Sequence, residues 1–305
     1  MSLSNPNSPK PKKFRILMLH GYAQSARVFR IKMRLLMEQI THSITPTLSN
    51  EYPGGIEFLF PDGPVNLHAP GTSSSDPERD PENQAWWLNL DDISRYIFLN
   101  ETIQYLADFL NGEPIHGAIG FSQGGALAVM ISSMCEATIN PKRIQAIQDQ
   151  GIPANTFLDS LPGQQPLKFV LSFCGFKGTM DYYSSLYTSM LRTPSFHAIG
   201  AFDTMIAAEK SELLVNSFVA PQVMHYFGGH FIPRDRESLR AIMGFLQRTC
   251  YSEAKDSGSI VGVKKAPEQR VLLDSSVPGS CRIAKMFLIR RRPVVQMCRV
   301  RRTIA

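Results

Sequence analysis

Short apolar runs alternate with longer amphipathic segments along most of the chain. The runs predict six strands, at residues 14–19, 56–60, 114–119, 168–174, 195–200 and 222–227. Between them, apolar residues at helical spacing predict helices at residues 27–40, 93–110, 126–131, 182–190, 206–218 and 236–247. Strands that alternate with helices indicate an α/β protein with a mainly parallel central sheet and helices on both faces.

One long connection interrupts this alternation. Residues 65–82 are rich in Pro, Ser, Asp and Gly, which predicts a loop, and loops of this length are usually functional or disordered. The loop leads to Trp86 and Trp87, the only two tryptophans of the chain. They either pin the loop to the body of the protein or line an acyl pocket, and the sequence leaves both interpretations open. Residues 135–165 are more polar and predict a helical excursion followed by a surface loop.

Charge is distributed unevenly between the body of the chain and its carboxyl end. The 305 residues carry a formal charge of +6, but residues 251–305 alone carry about +8, which leaves residues 1–250 near −2. The body therefore has no electrostatic basis for nucleic-acid binding. We expect a disordered leader at residues 1–13, a folded α/β domain at residues 14–250 and a basic, disordered tail at residues 251–305.

The cysteines and the hydropathy favour a cytoplasmic protein. Five widely scattered cysteines show neither zinc-ligand nor redox spacing, so free thiols in a reducing compartment are expected, with no metal site. The first residues are polar and resemble no signal peptide. No stretch approaches the roughly 18 apolar residues that a membrane span needs.

A Gly-x-Ser-x-Gly pattern at Gly120–Gly124 lies between a predicted strand and a predicted helix. This pattern is typical of a sharp turn that exposes a serine hydroxyl at the top of a sheet. The glycines are needed because neighbouring backbone would clash with a Cβ atom. The following helix directs its positive end at the site where an oxyanion forms. Ser122 is therefore the predicted nucleophile.

A serine nucleophile requires a base and an acid that orients the base. In α/β-hydrolases the chain order is Ser, then Asp or Glu, then His, and Ser122, Asp203 and His230 follow it. His230 follows the last predicted strand on a glycine-led loop, and Asp203 lies just beyond the fifth. The rival histidines either precede Ser122 or fall within predicted strands: His20, His116, His197 and His225. The rival acid, Asp235, comes after His230 and is expected to cap the last helix.

The oxyanion of an acyl-transfer reaction needs backbone donors that are already in position. The N–H of the residue after the nucleophile and an N–H from the loop after an early strand usually supply them, which here are Gln123 and Tyr22. A dinucleotide site is not expected, because the glycines around Ser122 lack the Gly-x-Gly-x-x-Gly spacing and no Walker-type motif occurs.

Together these motifs resemble those of the eukaryotic FSH serine hydrolases, which include ovarian-cancer-associated esterases and fungal esterases and thioesterases of polyketide clusters. The resemblance extends over roughly residues 13–248. It rests on six segments in order: Leu19–Ser25, Pro61–Pro64, Trp86–Trp87, Gly120–Gly125, His197–Asp203 and Gly228–Pro233. It implies an α/β-hydrolase fold, a cytosolic enzyme without cofactor, and Ser122, Asp203 and His230 as nucleophile, acid and base.

The function expected from this resemblance is hydrolysis of an acyl ester or thioester through an acyl-enzyme. Release of a polyketide chain from an acyl carrier domain is the expected finer form, and Trp87, Phe121 and Phe231 are the predicted substrate-binding residues. A local basic patch on the first helix would dock such a carrier, although a solvated helix face explains the same residues: Arg27, Arg30, Lys32 and Arg34. A general short-chain carboxylesterase, an acyltransferase with the same triad and a non-catalytic binding module are the alternatives.

Overall fold

A six-stranded parallel sheet forms the centre of the protein. The computed structural model describes residues 11–67, 83–90 and 93–251. The strands of the sheet are β1 (Phe14–Leu19), β2 (Ile56–Leu59), β5 (Gly117–Phe121), β6 (Phe169–Phe173), β7 (Ser195–Gly200) and β8 (Pro221–Tyr226). They lie in the order β2-β1-β5-β6-β7-β8, and every neighbouring pair is parallel. All residues of β1, β5, β6 and β7 are buried, as expected of strands covered on both faces.

Helices cover both faces of this sheet, each above its own hydrophobic core. The helices are α1 (Ala26–Leu48), α2 (Leu99–Leu110), α3 (Gln123–Glu136), α4 (Pro141–Asp149), α5 (Ala154–Asp159), α6 (Ala208–Val215) and α7 (Arg236–Tyr251). Helices α1 and α7 pack on the face that carries Ile16 and Met18, while α2 to α6 pack on the face of Leu17 and Leu19. The alternation of adjacent β1 side chains between the two cores follows from the period of two in a strand. The predicted α/β architecture is confirmed.

Several predicted boundaries are wrong by part of an element. Helix α1 continues past residue 40 to Leu48, because Ile44 and Leu48 extend its buried face, and His42 therefore lies inside the helix. Helix α2 begins at Leu99 instead of residue 93, since the preceding backbone pairs Leu88 with Ile97. The serine strand covers residues 117–121 instead of 114–119, so it runs directly into Ser122.

The regions between the main elements also differ in detail from the sequence-based expectation. The predicted helix at residues 182–190 is a 3₁₀ helix, Asp181–Tyr187. The predicted excursion at residues 135–165 contains α4 and α5. Two short strands, β3 (Val65–Asn66) and β4 (Gln84–Ala85), pair where the long loop leaves and re-enters the described residues. The middle of that loop, most of the predicted leader and residues 252–305 of the predicted tail lie outside the described part of the chain.

The carboxyl ends of the strands meet at one edge of the sheet. Parallel strands place their following loops side by side, and functional groups of open α/β sheets collect there. The loops after β1, β5, β7 and β8 carry, in order, Tyr22, Ser122, Asp203 and His230. None of the described helices has the length and apolar character that would allow it to cross a membrane.

Candidate active site

Ser122 occupies the single-residue turn between β5 and α3. Its backbone has φ 53° and ψ −117°, a region that non-glycine residues rarely adopt. The Ser122 N–H donates a hydrogen bond to the carbonyl oxygen of Phe173 (2.8 Å), and the Ala126 N–H donates to the Ser122 carbonyl (3.1 Å). The turn is thus fixed at both ends while the side chain lies at the start of a helix, where the positive end of the dipole stabilises developing negative charge.

The two glycines of the motif allow this turn to form. A Cβ atom on Gly120 would lie 2.0 Å from the carbonyl oxygen of Gly124, and one on Gly124 would lie 2.2 Å from the carbonyl oxygen of Leu19. Both obstacles are backbone atoms, so no side-chain rearrangement relieves them. A larger residue at Gly120 would therefore force β5 away from the start of α3, and one at Gly124 would force α3 away from the end of β1.

Asp203 and His230 form a direct pair at the ends of β7 and β8. The Oδ2 atom of Asp203 lies 2.7 Å from Nδ1 of His230. Its Oδ1 atom accepts hydrogen bonds from the backbone N–H groups of Met205 (2.9 Å) and Ile206 (2.8 Å). Desolvation acts to raise the pKa of Asp203, but the bonds from Ile206, His230 and Met205 outweigh it and hold the pKa below its ordinary value. An ionised Asp203 leaves Nε2 as the ring nitrogen available to a serine hydroxyl.

Backbone contacts hold the two loops of this pair against each other. The N–H of Phe202 donates to the carbonyl oxygen of Gly228 (2.9 Å). A Cβ atom on Gly200 would lie 2.5 Å from the carbonyl oxygen of Gly229, so the loops approach as closely as backbone allows. The Tyr226 hydroxyl lies 2.7 Å from the same oxygen, which ties the His230 loop to β8. The position of the His230 loop is therefore fixed by these backbone contacts and by Tyr226 of β8.

The two predicted oxyanion donors lie beside Ser122. Tyr22, Ser122, Gln123 and His230 all line one cavity of about 360 Å³. In the described part of the chain, the backbone N–H groups of Tyr22 and Gln123 donate to no other group. The side chain of Gln123 has a separate task, because its Oε1 accepts from the Trp86 N–H (2.9 Å) and its Nε2 donates to the Trp87 carbonyl (2.8 Å). The backbone N–H of Gln123 is thus without a partner among the described residues, while its side chain anchors the tryptophan segment.

The three predicted substrate-binding residues divide between two neighbouring cavities. Trp87 lines the cavity of Ser122, whereas Phe121 and Phe231 line a second cavity of about 410 Å³. His230 borders both, and its ring lies 4.9 Å from that of Phe121. The two interpretations of the tryptophan pair therefore apply to one residue each. Trp87 faces the pocket, while Trp86 is fully buried and pins the segment.

Two buried tyrosines, Tyr183 and Tyr187, support the wall of the Ser122 cavity from behind. Tyr183 stacks on Tyr96 with 5.1 Å between ring centroids. Tyr187 lines neither of the two cavities. Tyr96, which the sequence did not single out, lines the cavity of Ser122. Its ring lies 5.2 Å from that of Trp87. Trp87 and Tyr96 therefore form an aromatic part of the wall, which also contains Phe176, Lys177 and Lys210.

Comparison with known proteins connects this geometry to a family. The model of the serine hydrolase (FSH1) family matches residues 8–242. The chain belongs to the FSH1 serine hydrolase family. Together with the parallel sheet and the turn at Ser122, this membership confirms the predicted α/β-hydrolase fold.

The match to this serine hydrolase covers a different share of each relative's own length. Family of serine hydrolases 2 of Saccharomyces cerevisiae is 30% identical over 76% of this chain and 97% of its own length. Esterase OVCA2 of Xenopus tropicalis is 26% identical over 80% of this chain and 96% of its own length. An uncharacterized hydrolase of Schizosaccharomyces pombe is 27% identical over 72% of this chain, and the match spans about half of that protein, 48%.

His20 supports the site of this serine hydrolase, a role that sequence reasoning missed. The Gly63 N–H donates to Nε2 of His20 (2.8 Å), so Nδ1 carries the proton and donates to the Gly21 carbonyl (2.7 Å). The ring also stacks on Trp86 at 4.6 Å, and the Trp86 indole N–H donates to the His20 carbonyl (2.8 Å). His20 therefore joins the Tyr22 loop to the loop at Gly63 and to Trp86. The Pro61–Pro64 turn, directly after a predicted strand, was the sequence feature that could have indicated this contact.

Cys174 lies beneath the Asp203–His230 pair. The sulfur, the carboxylate and the imidazole offer ligand atoms within 4.8 Å of one another. Burial raises the pKa of the Cys174 thiol to about 12, and the charge of Asp203 raises it as well. The thiol therefore stays protonated and serves as packing against the Tyr226 hydroxyl, 3.2 Å away. Because Nδ1 of His230 is bonded to Asp203, these side chains are arranged as an acid–base pair with a neutral neighbour.

The remaining predicted rivals lie away from Ser122. His197 is buried inside β7 and His225 is exposed on β8, as expected. His116 accepts a hydrogen bond from the Arg15 N–H (3.0 Å) at the opposite end of the sheet. Asp235 accepts from the Ser238 N–H (2.9 Å) at the start of α7, so it caps that helix.

Two buried histidines make the stability of the fold dependent on pH. Burial lowers the pKa of both His20 and His197 to about 4, whereas in the unfolded chain both titrate near 6.5. The unfolded state therefore binds more protons between these values, so stability is complete above pH 6.5 and falls as the pH drops toward 4. At pH 5 we expect the shifted titration of each histidine to have lowered the free energy of unfolding of the protein by on the order of 2 kcal/mol.

Urea unfolding at pH 7.5 and pH 5 measures this effect. His197→Gln and His20→Gln should each make the dependence shallower without abolishing it, because the substituted side chain no longer titrates while the other buried histidine still does. His225→Gln is the matched control, since that histidine is exposed, and it should leave the dependence unchanged. Equal unfolding free energies at the two pH values in the unsubstituted protein would contradict the prediction.

Proposed function

We propose that this FSH1-family serine hydrolase cleaves acyl esters through an acyl-enzyme on Ser122, with His230 as general base and Asp203 as the acid that orients it. The observation that carries the proposal is the 2.7 Å pair between Asp203 and His230 at the border of the cavity that Ser122 lines. Because Asp203 engages Nδ1, the other ring nitrogen is the one that can take the serine proton.

The proposed reaction proceeds in two halves. In the first, Ser122 Oγ attacks the carbonyl carbon while His230 takes the hydroxyl proton, and the N–H groups of Tyr22 and Gln123 stabilise the oxyanion. His230 then protonates the leaving alcohol. In the second half a water molecule attacks the acyl-enzyme, with His230 again as base, and releases the acid.

Ester substrates are favoured by the shape of the cavity and by the relatives. A volume of about 360 Å³ with walls from Trp87 and Tyr96 suits a short or flat acyl group. The Xenopus relative is named an esterase. Thioesters have the same acyl geometry and a better leaving group, so we propose them as a second substrate class for the same triad.

The most specific version of this proposal is that the substrate is a polyketide acyl chain carried by an acyl carrier partner. It rests on the motif resemblance and on the aromatic walls of the cavity. The basic residues of the predicted docking patch on α1 have different partners. Arg30 lies over the Phe60 ring at 4.2 Å, and Arg34 faces Glu38 at 4.0 Å. Lys32 instead lines the second cavity. We propose a cytoplasmic location because Cys135, Cys174 and Cys250 are buried free thiols.

A labelling experiment tests the proposed function most directly. A fluorophosphonate probe should modify one residue, and peptide mass spectrometry should locate it at Ser122. With p-nitrophenyl butanoate we expect turnover that the probe abolishes. Added short alcohols should leave the acid as the main product, which separates a hydrolase from an acyltransferase. Labelling elsewhere would assign the nucleophile to another residue. A chain that neither reacts nor turns over an ester or thioester panel would favour a binding module.

A further inference from the structure

A second cavity of about 410 Å³ also borders His230, but Ser122 does not line it. Its lining combines Phe121 and Phe231 with two cations, Lys32 from α1 and Arg234 from the loop before α7. Phe121 is the residue immediately before the nucleophile, so this cavity is a continuation of the candidate active site. Apolar walls with a few charged groups are typical of a site that orients one end of a small ligand.

The two cations are held together without a neutralising partner. Arg234 Nη2 donates to the backbone carbonyl of Lys32 (2.9 Å), which fixes the guanidinium beside α1. Burial lowers the pKa of Lys32, and the positive charge of Arg234 lowers it further. Among the residues that the structure describes, neither cation forms an ion pair. Asp235, the adjacent acid, is engaged with Ser238 at the start of α7.

Such an arrangement favours a bound anion. Two like charges that line one cavity repel each other, and a partly buried lysine is disfavoured in its charged form. A carboxylate or phosphate between them would relieve both costs and accept charge-assisted hydrogen bonds from each side chain. The Asp62 and Asp203 carboxylates bond to the Ala26 N–H and to His230 and do not line this cavity.

The position of the cavity relative to Ser122 determines which part of a substrate enters it. Ser122 lines only the first cavity, while His230 lines both. During acylation the acyl group becomes bonded to Ser122 Oγ and so remains in the first cavity. The leaving group takes its proton from His230, so it lies next to the imidazole when it is released. A cavity bordered by His230 but not by Ser122 therefore lies on the leaving-group side.

We propose that the cavity of Lys32 and Arg234 binds a negatively charged group, a carboxylate or a phosphate, on the alcohol or thiol that leaves during acylation. This inference rests on the proposed function, since it assigns the leaving-group half of the same site. In the reaction the bond from Ser122 Oγ to the acyl carbon forms as the C–O or C–S bond breaks. The leaving group receives its proton from His230, and water later releases the acid.

A matched pair of thioesters tests the charge preference. S-butanoyl 3-mercaptopropanoate has an anionic leaving group, and its methyl ester on the carboxylate has a neutral one with the same acyl chain. The unsubstituted protein should show kcat/KM at least about tenfold higher for the anionic substrate at low ionic strength, the effect of one charge-assisted hydrogen bond. The ratio should shrink as salt is added, because the cations are partly exposed. S-butanoyl 3-mercaptopropyl phosphate distinguishes a phosphate from a carboxylate preference.

Variants locate this preference in the second cavity. Lys32→Gln and Arg234→Gln should each lower the ratio of anionic to neutral kcat/KM by about five- to tenfold. Arg34→Gln removes one positive charge from the same helix at an exposed position and is the matched control, which should keep the ratio. A loss of equal size on both substrates would mean that Lys32 or Arg234 acts through the fold and would overturn the proposal.

Two further outcomes separate this inference from the proposed function. A third substrate, S-ethyl succinate monothioester, carries the carboxylate on the acyl side, and neither cavity variant should change its kcat/KM relative to S-ethyl butanethioate. A change there would place the anion on the acyl group and overturn the assignment. Turnover of the neutral thioester without any charge preference would reject the anion site alone. No turnover of any of these substrates or of matched oxyesters would reject the proposed function as well.

Discussion

Replacing Ser122 with alanine is expected to lower kcat for ester hydrolysis by about a million-fold. The acyl-enzyme cannot form without the hydroxyl, and the remaining groups of a triad do not compensate because they act as a unit. The substitution removes one atom from a side chain at the border of a cavity and leaves the turn at φ 53° held by the same backbone bonds. The thermal unfolding midpoint should therefore change by only a few degrees.

The measurement compares steady-state hydrolysis of p-nitrophenyl butanoate with fluorophosphonate labelling, and both should be lost together. Ser132→Ala is the matched control, since Ser132 is a buried serine of the same helix region whose hydroxyl has no hydrogen-bond partner among the described residues. That variant should keep both activities. If Ser122→Ala melts normally and retains activity near that of the control, Ser122 is not the nucleophile.

Asp203→Asn is expected to lower kcat by roughly ten-thousand-fold, the effect of presenting the base in the wrong tautomer. Oδ1 of Asp203 accepts from the backbone N–H groups of Met205 and Ile206, so the amide oxygen of an asparagine would take that position. Its NH₂ group would then face Nδ1 of His230 and donate to it. The ring proton would move to Nε2, and His230 could no longer accept the proton of Ser122.

Asp235→Asn provides the control for this prediction. Asp235 is the rival acid and caps α7, a position at which asparagine is about as favourable as aspartate, so both activity and stability should be retained. Asp203→Asn should still label with fluorophosphonate, but at a rate reduced in proportion to kcat. Near-normal hydrolysis by the Asp203 variant would show that another group orients His230.

The sequence alone was sufficient to predict the order of the main strands and helices and the edge of the sheet at which the candidate site lies. Near-continuous apolar runs such as Phe14–Leu19 have to be covered on both faces, and the segments between them have one apolar side. These local patterns imply a parallel sheet between two layers of helices. Because each predicted site residue follows a strand directly, the sequence also predicted that Ser122, Asp203 and His230 lie at one edge.

Element ends were less predictable, because tertiary packing decides them. Helix α1 continues to Leu48, past Pro46, since α7 and the sheet cover its last turns. The backbone pairing of Leu88 with Ile97 prevents residues 93–98 from joining α2, although their spacing is helical. In both cases contacts made across the fold outweigh the modest differences in local helix propensity.

Only the tertiary structure decided the contacts between residues that are distant in the chain. The two tryptophans are adjacent and chemically identical, yet Trp86 packs on His20 and Trp87 faces the cavity, because β4 and Gln123 orient that segment. Lys32 and Arg234 are 202 positions apart, and their meeting depends on the packing of α1 beside the loop after β8. Local sequence determines which residues can form a strand, a turn or a helix. Strand order and helix packing determine which of them meet.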